Sequence, residues 1–324
     1  MADTRPIVIS CGEPAGIGLD IIPAAWNALR HSVPMAWIGD PSHLPPDVPV
    51  RLSDNLENQD IRTDALTVLA RDFGAPRTPG VPNALHAPHV VAAIETGVQL
   101  CQSGAARGLC TAPIHKAALI DGAEFDYPGH TEFLSALAGD VPVAMMLACD
   151  QLRVVPVTIH VPLCEVPDAL TAAALTDAVL IVHAALRRDF GIKAPRIAIA
   201  GLNPHAGEDG KIGTEELTLI RPVIDALRER GLNVSGPHSA DTMFHAQARQ
   251  SYDAAICMYH DQALIPIKTL DFFGGVNVTL GLPFIRTSPD HGTAFEIAGS
   301  DQADARSMIA AIQMAAQMAD ARES

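Results

Sequence analysis

Short apolar runs rich in β-branched residues alternate along this chain with Ala-rich stretches of helical length, and no other feature restricts the fold as much. Ile7–Cys11, Pro34–Ile38, Gly108–Thr111, Val143–Ala148, Arg153–Ile159, Arg196–Ala200 and Ala254–Met258 read as strands. A helix ending at Leu29, then His89–Gln102, Glu132–Ala138, Pro167–Arg188, Glu215–Arg230 and Gln302–Ala321, reads as the helical complement, with Thr131 a candidate cap. Glu215 and Glu216 at the start of their helix and Arg228 and Arg230 at its end match the helix dipole. Residues 40–84 are Pro-rich and carry no clear period. The alternation predicts an α/β protein with mainly parallel pairing, in which ligand-binding loops leave the carboxyl ends of strands. Val143–Ala148 and Arg153–Ile159 are close enough to form a hairpin around Cys149 and Asp150.

The chain has 324 residues, more than one core comfortably organises, so two lobes are expected. Its core must be aliphatic, because 48% of residues are hydrophobic and only 4% aromatic. A formal net charge of −15 opposes general binding to nucleic acid or anionic membrane, while leaving room for a small anionic substrate in a local cationic pocket. Cys11, Cys101, Cys110, Cys149, Cys164 and Cys257 form no CxxC pair and read as buried reduced thiols. No secretory pattern opens the sequence and no uninterrupted apolar span is long enough for a membrane helix, so a soluble, cytoplasmic protein is expected.

The chemistry-bearing residues cluster in a few Gly- and Pro-punctuated segments. His160, His205 and His260 each follow an apolar β-rich run, and three imidazoles from separate loops could form an open divalent site. No HxxxH spacing nominates these three among 13 histidines, and surface imidazoles remain the plain alternative. Lys268, Asn277 and Arg286 gather donors near Gly-rich turns in a cation-poor region, a set suited to phosphate or carboxylate, although solvated Lys and Arg are commonplace. Asp241, Asp261, Glu132 and Glu208 are candidate acids or partners of the imidazoles. The turn Gly12-Glu13-Pro14-Ala15-Gly16-Ile17-Gly18 lacks both GxGxxG and the P-loop Lys, so it reads as a tight turn. No GxSxG elbow or Cys–His pattern supports nucleophilic hydrolysis.

Five segments in order resemble the 4-hydroxythreonine-4-phosphate dehydrogenase family of vitamin B6 biosynthesis. They are Gly12–Gly18, Tyr127-Pro128-Gly129-His130-Thr131-Glu132, Gly201-Leu202-Asn203-Pro204-His205-Ala206-Gly207-Glu208, Tyr259-His260-Asp261-Gln262 and Val276 through Ser288. Glu13 and Asp20 depart from the family's more usual Asp and Glu, conserving charge. The resemblance implies a two-lobed isocitrate/isopropylmalate dehydrogenase-like α/β/α fold with its active site in the interdomain cleft. It implies a first lobe of residues 1–133 plus 288–324, and a second of 134–287 carrying the metal ligands and dimer interface. A divalent metal (zinc, magnesium or cobalt) would be held by His160, His205 and His260, in a homodimer with shared active sites. His130, Thr131, Lys268, Asn277 and Arg286 would bind a small phosphorylated amino-acid substrate, with Lys268 and Asp241 as catalytic candidates. NAD or NADP would accept hydride without a Rossmann motif, and the β-keto acid formed would lose carbon dioxide. Alternatives are a dehydrogenase of a four-carbon sugar-acid phosphate or a cis-dihydrodiol carboxylate, or a metal-dependent hydrolase or lyase without nicotinamide.

Overall fold

The computed structural model describes residues 3–56, 61 and 63–324; part of the Pro-rich 40–84 stretch therefore lies outside the described residues. The strands are β1 (Ile7–Ser10), β2 (Met35–Gly39), β3 (Val50–Ser53), β4 (Leu66–Ala70), β5 (Gly108–Thr111), β6 (Ala144–Cys149), β7 (Leu152–Thr158), β8 (Arg196–Ala200), β9 (Asn233–His238), β10 (Ala254–Tyr259), β11 (Val276–Leu280) and β12 (Arg286–Pro289). They belong to two compact units, Met1–Val141 with Leu282–Glu323, and Pro142–Gly281. The boundaries fall at 141/142 and 281/282 rather than at 133/134 and 287/288. Two features move them: the helix His130–Leu137 runs unbroken past residue 133, and β12, which begins before residue 288, pairs with β5.

In the first unit the strands run β3-β4-β2-β1-β5-β12, all parallel, as the strand–helix alternation predicts. Helix Gly18–Leu29 turns Leu19, Ile21, Ile22, Ala25, Trp26 and Leu29 inward. Helix Ala87–Gln102 approaches the sheet at Gly97, where an added Cβ would stand 2.7 Å from Leu109 Cδ1. Helix Arg306–Glu323 buries Met308, Ala311, Ile312, Ala315 and Met318. Each fully buried aliphatic side chain of this kind contributes about 2 kcal/mol of burial free energy, which is how a core poor in aromatics is assembled.

The second unit runs β11-β6-β7-β10-β8-β9. β6 is antiparallel to both neighbours, and β6–β7 is the hairpin expected around Cys149 and Asp150. Its core holds Leu147, Val154, Ala198, Ala255, Cys257, Ala263 and Ile267. The single helix expected over Pro167–Arg188 is two, Val166–Ala169 and Ala172–Arg188. Thr171 adopts an extended backbone between them and its Oγ1 accepts from Ala174 N at 3.1 Å, so a cap replaces continuation. The helix expected over Glu215–Arg230 opens as a π turn, Glu216–Ile220, before becoming α over Arg221–Glu229. Pro222 has no N–H to return to Thr218, which favours the wider turn.

Four of the six cysteines are buried, Cys101 is partly buried, and Cys164 is exposed, against the expectation that all are internal. Burial pushes the Cys11 and Cys110 thiols up to about 12, which makes them inert packing groups. Among the described residues no single helix is long and apolar enough to cross a membrane.

Candidate active-site residues

Two of the three predicted imidazole ligands meet. His160 follows β7 and His260 opens the helix His260–Leu270 after β10; β7 and β10 pair in parallel, so adjacent strand ends deliver both rings. Their centroids are 5.7 Å apart. They line a cavity of about 220 Å³ with Thr158, Tyr259, Asp261 and the apolar side chains of Val161, Leu163 and Val166. The carboxylate Oδ1 of Asp261 lies 2.7 Å from His260 Nδ1. With Nδ1–H donated to Asp261, the Nε2 lone pair of His260 is left available to a ligand-seeking group, the tautomer that carboxylates impose on metal-binding histidines.

His205 stands outside this pair. Among the described residues no three His, Cys, Asp or Glu side chains are gathered at metal-binding distance. The donor chemistry of His160 and His260 therefore fits a divalent ion in part, with two nitrogen ligands from this cavity. His205 is exposed on the loop after β8, where residues 205–209 all have φ between 44 and 76°. Four of these are not glycine, and left-handed backbone costs such residues roughly 1–2 kcal/mol each. His160 is left-handed too, with φ 55°. Strain held at two of the three predicted ligands marks loops whose geometry is fixed by their surroundings.

The predicted anion-binding residues divide between the units: His130, Thr131 and Arg286 in the first, Lys268 and Asn277 in the second. Arg286 opens β12, is only 2% exposed, and donates from Nη2 to Thr111 Oγ1 at 2.7 Å and to His130 Nδ1 at 3.3 Å. Acceptance at Nδ1 leaves His130 with its proton on Nε2, a buried donor with no hydrogen-bond partner among the described residues. His130 is the first residue of the helix His130–Leu137, whose N-cap is Gly129 without a side-chain cap bond; Thr131 is inside the helix, not its cap. A buried guanidinium, an imidazole N–H and uncapped helix N–H groups are donors of the kind that suit an anion. Burial holds the Arg286 guanidinium down to about 10, so it keeps its charge at neutral pH.

Burial, and then the Arg286 charge, holds the His130 imidazole well below its ordinary value. The folded chain thus declines a proton that the unfolded chain takes up below about pH 6.5, and this contribution to stability is lost as pH falls through that region. The urea midpoint of the wild type should fall more than that of His130→Gln between about pH 7.5 and about pH 5.5. Equal losses in the two proteins would contradict the neutral assignment.

In the second unit, Lys268 is partly buried with Nζ 5.3 Å from the centroid of the Phe272 ring. Asn277 lies on β11 opposite Leu147, and its Oδ1 is buried with no hydrogen-bond partner among the described residues. Asp241 is exposed at the start of the short helix Ala240–Met243, accepts from Ser239 Oγ, and does not line the imidazole cavity. Two residues have roles that the sequence reading does not assign, the buried Glu216 and Gln262. Glu216, which by sequence complements the helix dipole, turns inward and accepts from the backbone ahead of His205. A buried acid at a helix start has no signature distinguishing it from an exposed one.

The family profile described as pyridoxal phosphate biosynthetic protein PdxA matches residues 33–315. A relative from Roseobacter denitrificans named 4-hydroxythreonine-4-phosphate dehydrogenase is 60% identical over 318 residues, 98% of each chain. One of the same name from Paracoccus denitrificans is 56% identical over 326 residues, covering 99% of this chain and 100% of that one. The crystal structure of 4-hydroxythreonine-4-phosphate dehydrogenase from Klebsiella pneumoniae superposes with a TM-score of 0.90 at 36% identity, covering 98% of this chain and 99% of that one.

Proposed function

Because the chain belongs to the 4-hydroxythreonine-4-phosphate dehydrogenase (PdxA) family, we propose that it oxidises 4-hydroxythreonine 4-phosphate with NAD or NADP. The product, 2-amino-3-oxo-4-phosphooxybutanoate, decarboxylates to 3-amino-2-oxopropyl phosphate in pyridoxal phosphate biosynthesis. The chain is an oxidoreductase, as its 60% identical relative is by name. The observation that carries the substrate reading is the buried Arg286–His130 pair, which presents a fixed positive charge and an unused N–H donor at a helix start.

Arg286 and His130 hold the substrate phosphate, Thr131 adds a hydroxyl in the first helical turn, and Lys268 and Asn277 supply an ammonium and an amide. Fixing the phosphate positions the carbinol carbon for transfer, so binding energy at the phosphate becomes orientation at the reacting bond. His160 and His260 would hold a divalent cation, and Asp261 keeps His260 in the tautomer that leaves its Nε2 available. His205 would be the third ligand. Its absence from the pair within one chain is what a cation site shared between two subunits would produce, and it favours a homodimer. When bound, the cation supplies Lewis acidity toward the hydroxyl being oxidised, and the nicotinamide supplies the hydride acceptor. Two imidazoles suit zinc or cobalt better than magnesium, which prefers oxygen donors. Lys268 and Asp241 are the proposed proton-handling residues, with Lys268 favoured because it is shielded where Asp241 is exposed.

Product analysis tests the reading. Incubation with 4-hydroxythreonine 4-phosphate and either cofactor should release carbon dioxide and leave an aminoketone phosphate one carbon shorter, read by mass spectrometry. A product that keeps all the carbons in a cofactor-independent reaction would favour the hydrolase or lyase alternative.

A further inference from the structure

Two buried polar side chains brace the segment that leads to His205, one of them from the helix that carries His260, and neither belongs to the ligand set. Resting on the metal reading above, we propose that Glu216 and Gln262 are positioning residues that hold His205 and His260 for divalent-cation binding. Glu216 is 1% exposed. Its Oε1 accepts from the backbone N–H of Leu202 and of Asn203, both at 2.7 Å, and its Oε2 accepts from Asn203 Nδ2 at 2.9 Å. These bonds pin the two residues that lead into the left-handed run 205–209. Gly207, with φ +76°, leaves room for the same carboxylate: an added Cβ would stand 2.5 Å from Glu216 Oε2. The strained turn is thus wrapped over one buried carboxylate.

Gln262 couples this loop to the other ligand. Its Oε1 accepts from Met258 N at 2.6 Å, and its Nε2 donates to Gly201 O at 2.8 Å. Met258 lies on β10, two residues before His260, and Gly201 directly follows β8, four residues before His205. One planar amide therefore fixes the exits of two paired strands, each of which leads to a proposed ligand. An apolar side chain could fill the space, but it would leave a buried N–H and a buried carbonyl unpaired, at about 1–3 kcal/mol each. Orientation of ligand-bearing loops by such outer groups commonly changes metal affinity by about 10–100-fold.

The test uses the full-length protein with Co²⁺ as the probe, read by calorimetric titration and by the visible ligand-field bands. Gln262→Glu keeps the acceptor for Met258 N and sets an oxygen against Gly201 O, so it undoes the tie to the His205 loop alone. Glu216→Gln keeps one oxygen for Leu202 N and Asn203 N but sets an amide NH2 against the Asn203 Nδ2 donor, so the clamp on Asn203 is lost. Both variants should bind Co²⁺ about 10–100-fold more weakly, with shifted bands and wild-type circular dichroism. If Glu216→Gln does not fold, Gln262→Glu decides alone. Unchanged affinity and bands in folded Gln262→Glu, beside lost binding in His260→Ala, would overturn the positioning role and leave the metal reading in place. Wild-type Co²⁺ binding by His260→Ala would overturn both.

Discussion

His260→Ala should lower kcat/KM for 4-hydroxythreonine 4-phosphate by about 10³-fold or more, roughly 4 kcal/mol of transition-state stabilisation. The expectation rests on the ring pair: His260 lies 5.7 Å from His160, with its Nδ1 committed to Asp261. Removing the ring takes away a proposed ligand and leaves the Asp261 carboxylate with no imidazole to orient. Asp261→Asn should give a milder defect in the same direction, about 10–100-fold in metal affinity, because the ring remains but its tautomer is no longer enforced. Steady-state kinetics beside metal content separates the two. A His260→Ala enzyme with full metal content and near-normal turnover would exclude this cavity as the metal centre.

Arg286 carries the second large effect. Arg286→Lys should raise KM for the phosphorylated substrate by about 50-fold, roughly 2 kcal/mol. The ammonium cannot reproduce the planar fork that reaches Thr111 Oγ1 and His130 Nδ1 while facing an anion. Arg286→Met provides the contrast. It keeps the apolar stem in a site only 2% exposed and removes a buried charge, so stability should be unchanged or improved while substrate binding is lost. Urea midpoints and KM measured on the same two proteins check this. A large loss of stability in Arg286→Met with an unaltered KM would make Arg286 a structural residue.

Much of this was legible in the chain because the fold repeats one device. An aliphatic strand ends, a Gly- or Pro-marked turn follows, and the first polar residue beyond it stands at the carboxyl edge of a sheet. That rule located His160, His205 and His260 in the sequence, and the structure brings the first and third together. It could not show that His205 would lie outside their pair, because a loop that reverses into the left-handed region erases the direction implied by its strand. Strand β9 was invisible for a different reason. Gly236 and Pro237 argue against a strand, yet β9 lies beside β8 alone in its unit, where a missing N–H costs no ladder bond on the outer side. Thr131 looked like a cap because hydroxyls usually cap helices; the helix begins one residue before it, with Gly129 leaving the first N–H groups open. The tethering roles of Glu216 and Gln262 were not legible, since each depends on backbone groups of another segment.

The proposed reaction is oxidation of a phosphorylated hydroxy-amino acid at a metal-dependent centre. It is tested most directly by following reduced-nicotinamide absorbance when purified, metal-loaded protein receives 4-hydroxythreonine 4-phosphate with NAD or NADP, alongside a chelated sample. Turnover is expected with at least one cofactor, lost on chelation and restored by zinc or cobalt. No reduction of either cofactor by folded, metal-loaded protein would contradict it and turn attention to sugar-acid phosphates and dihydrodiol carboxylates as substrates.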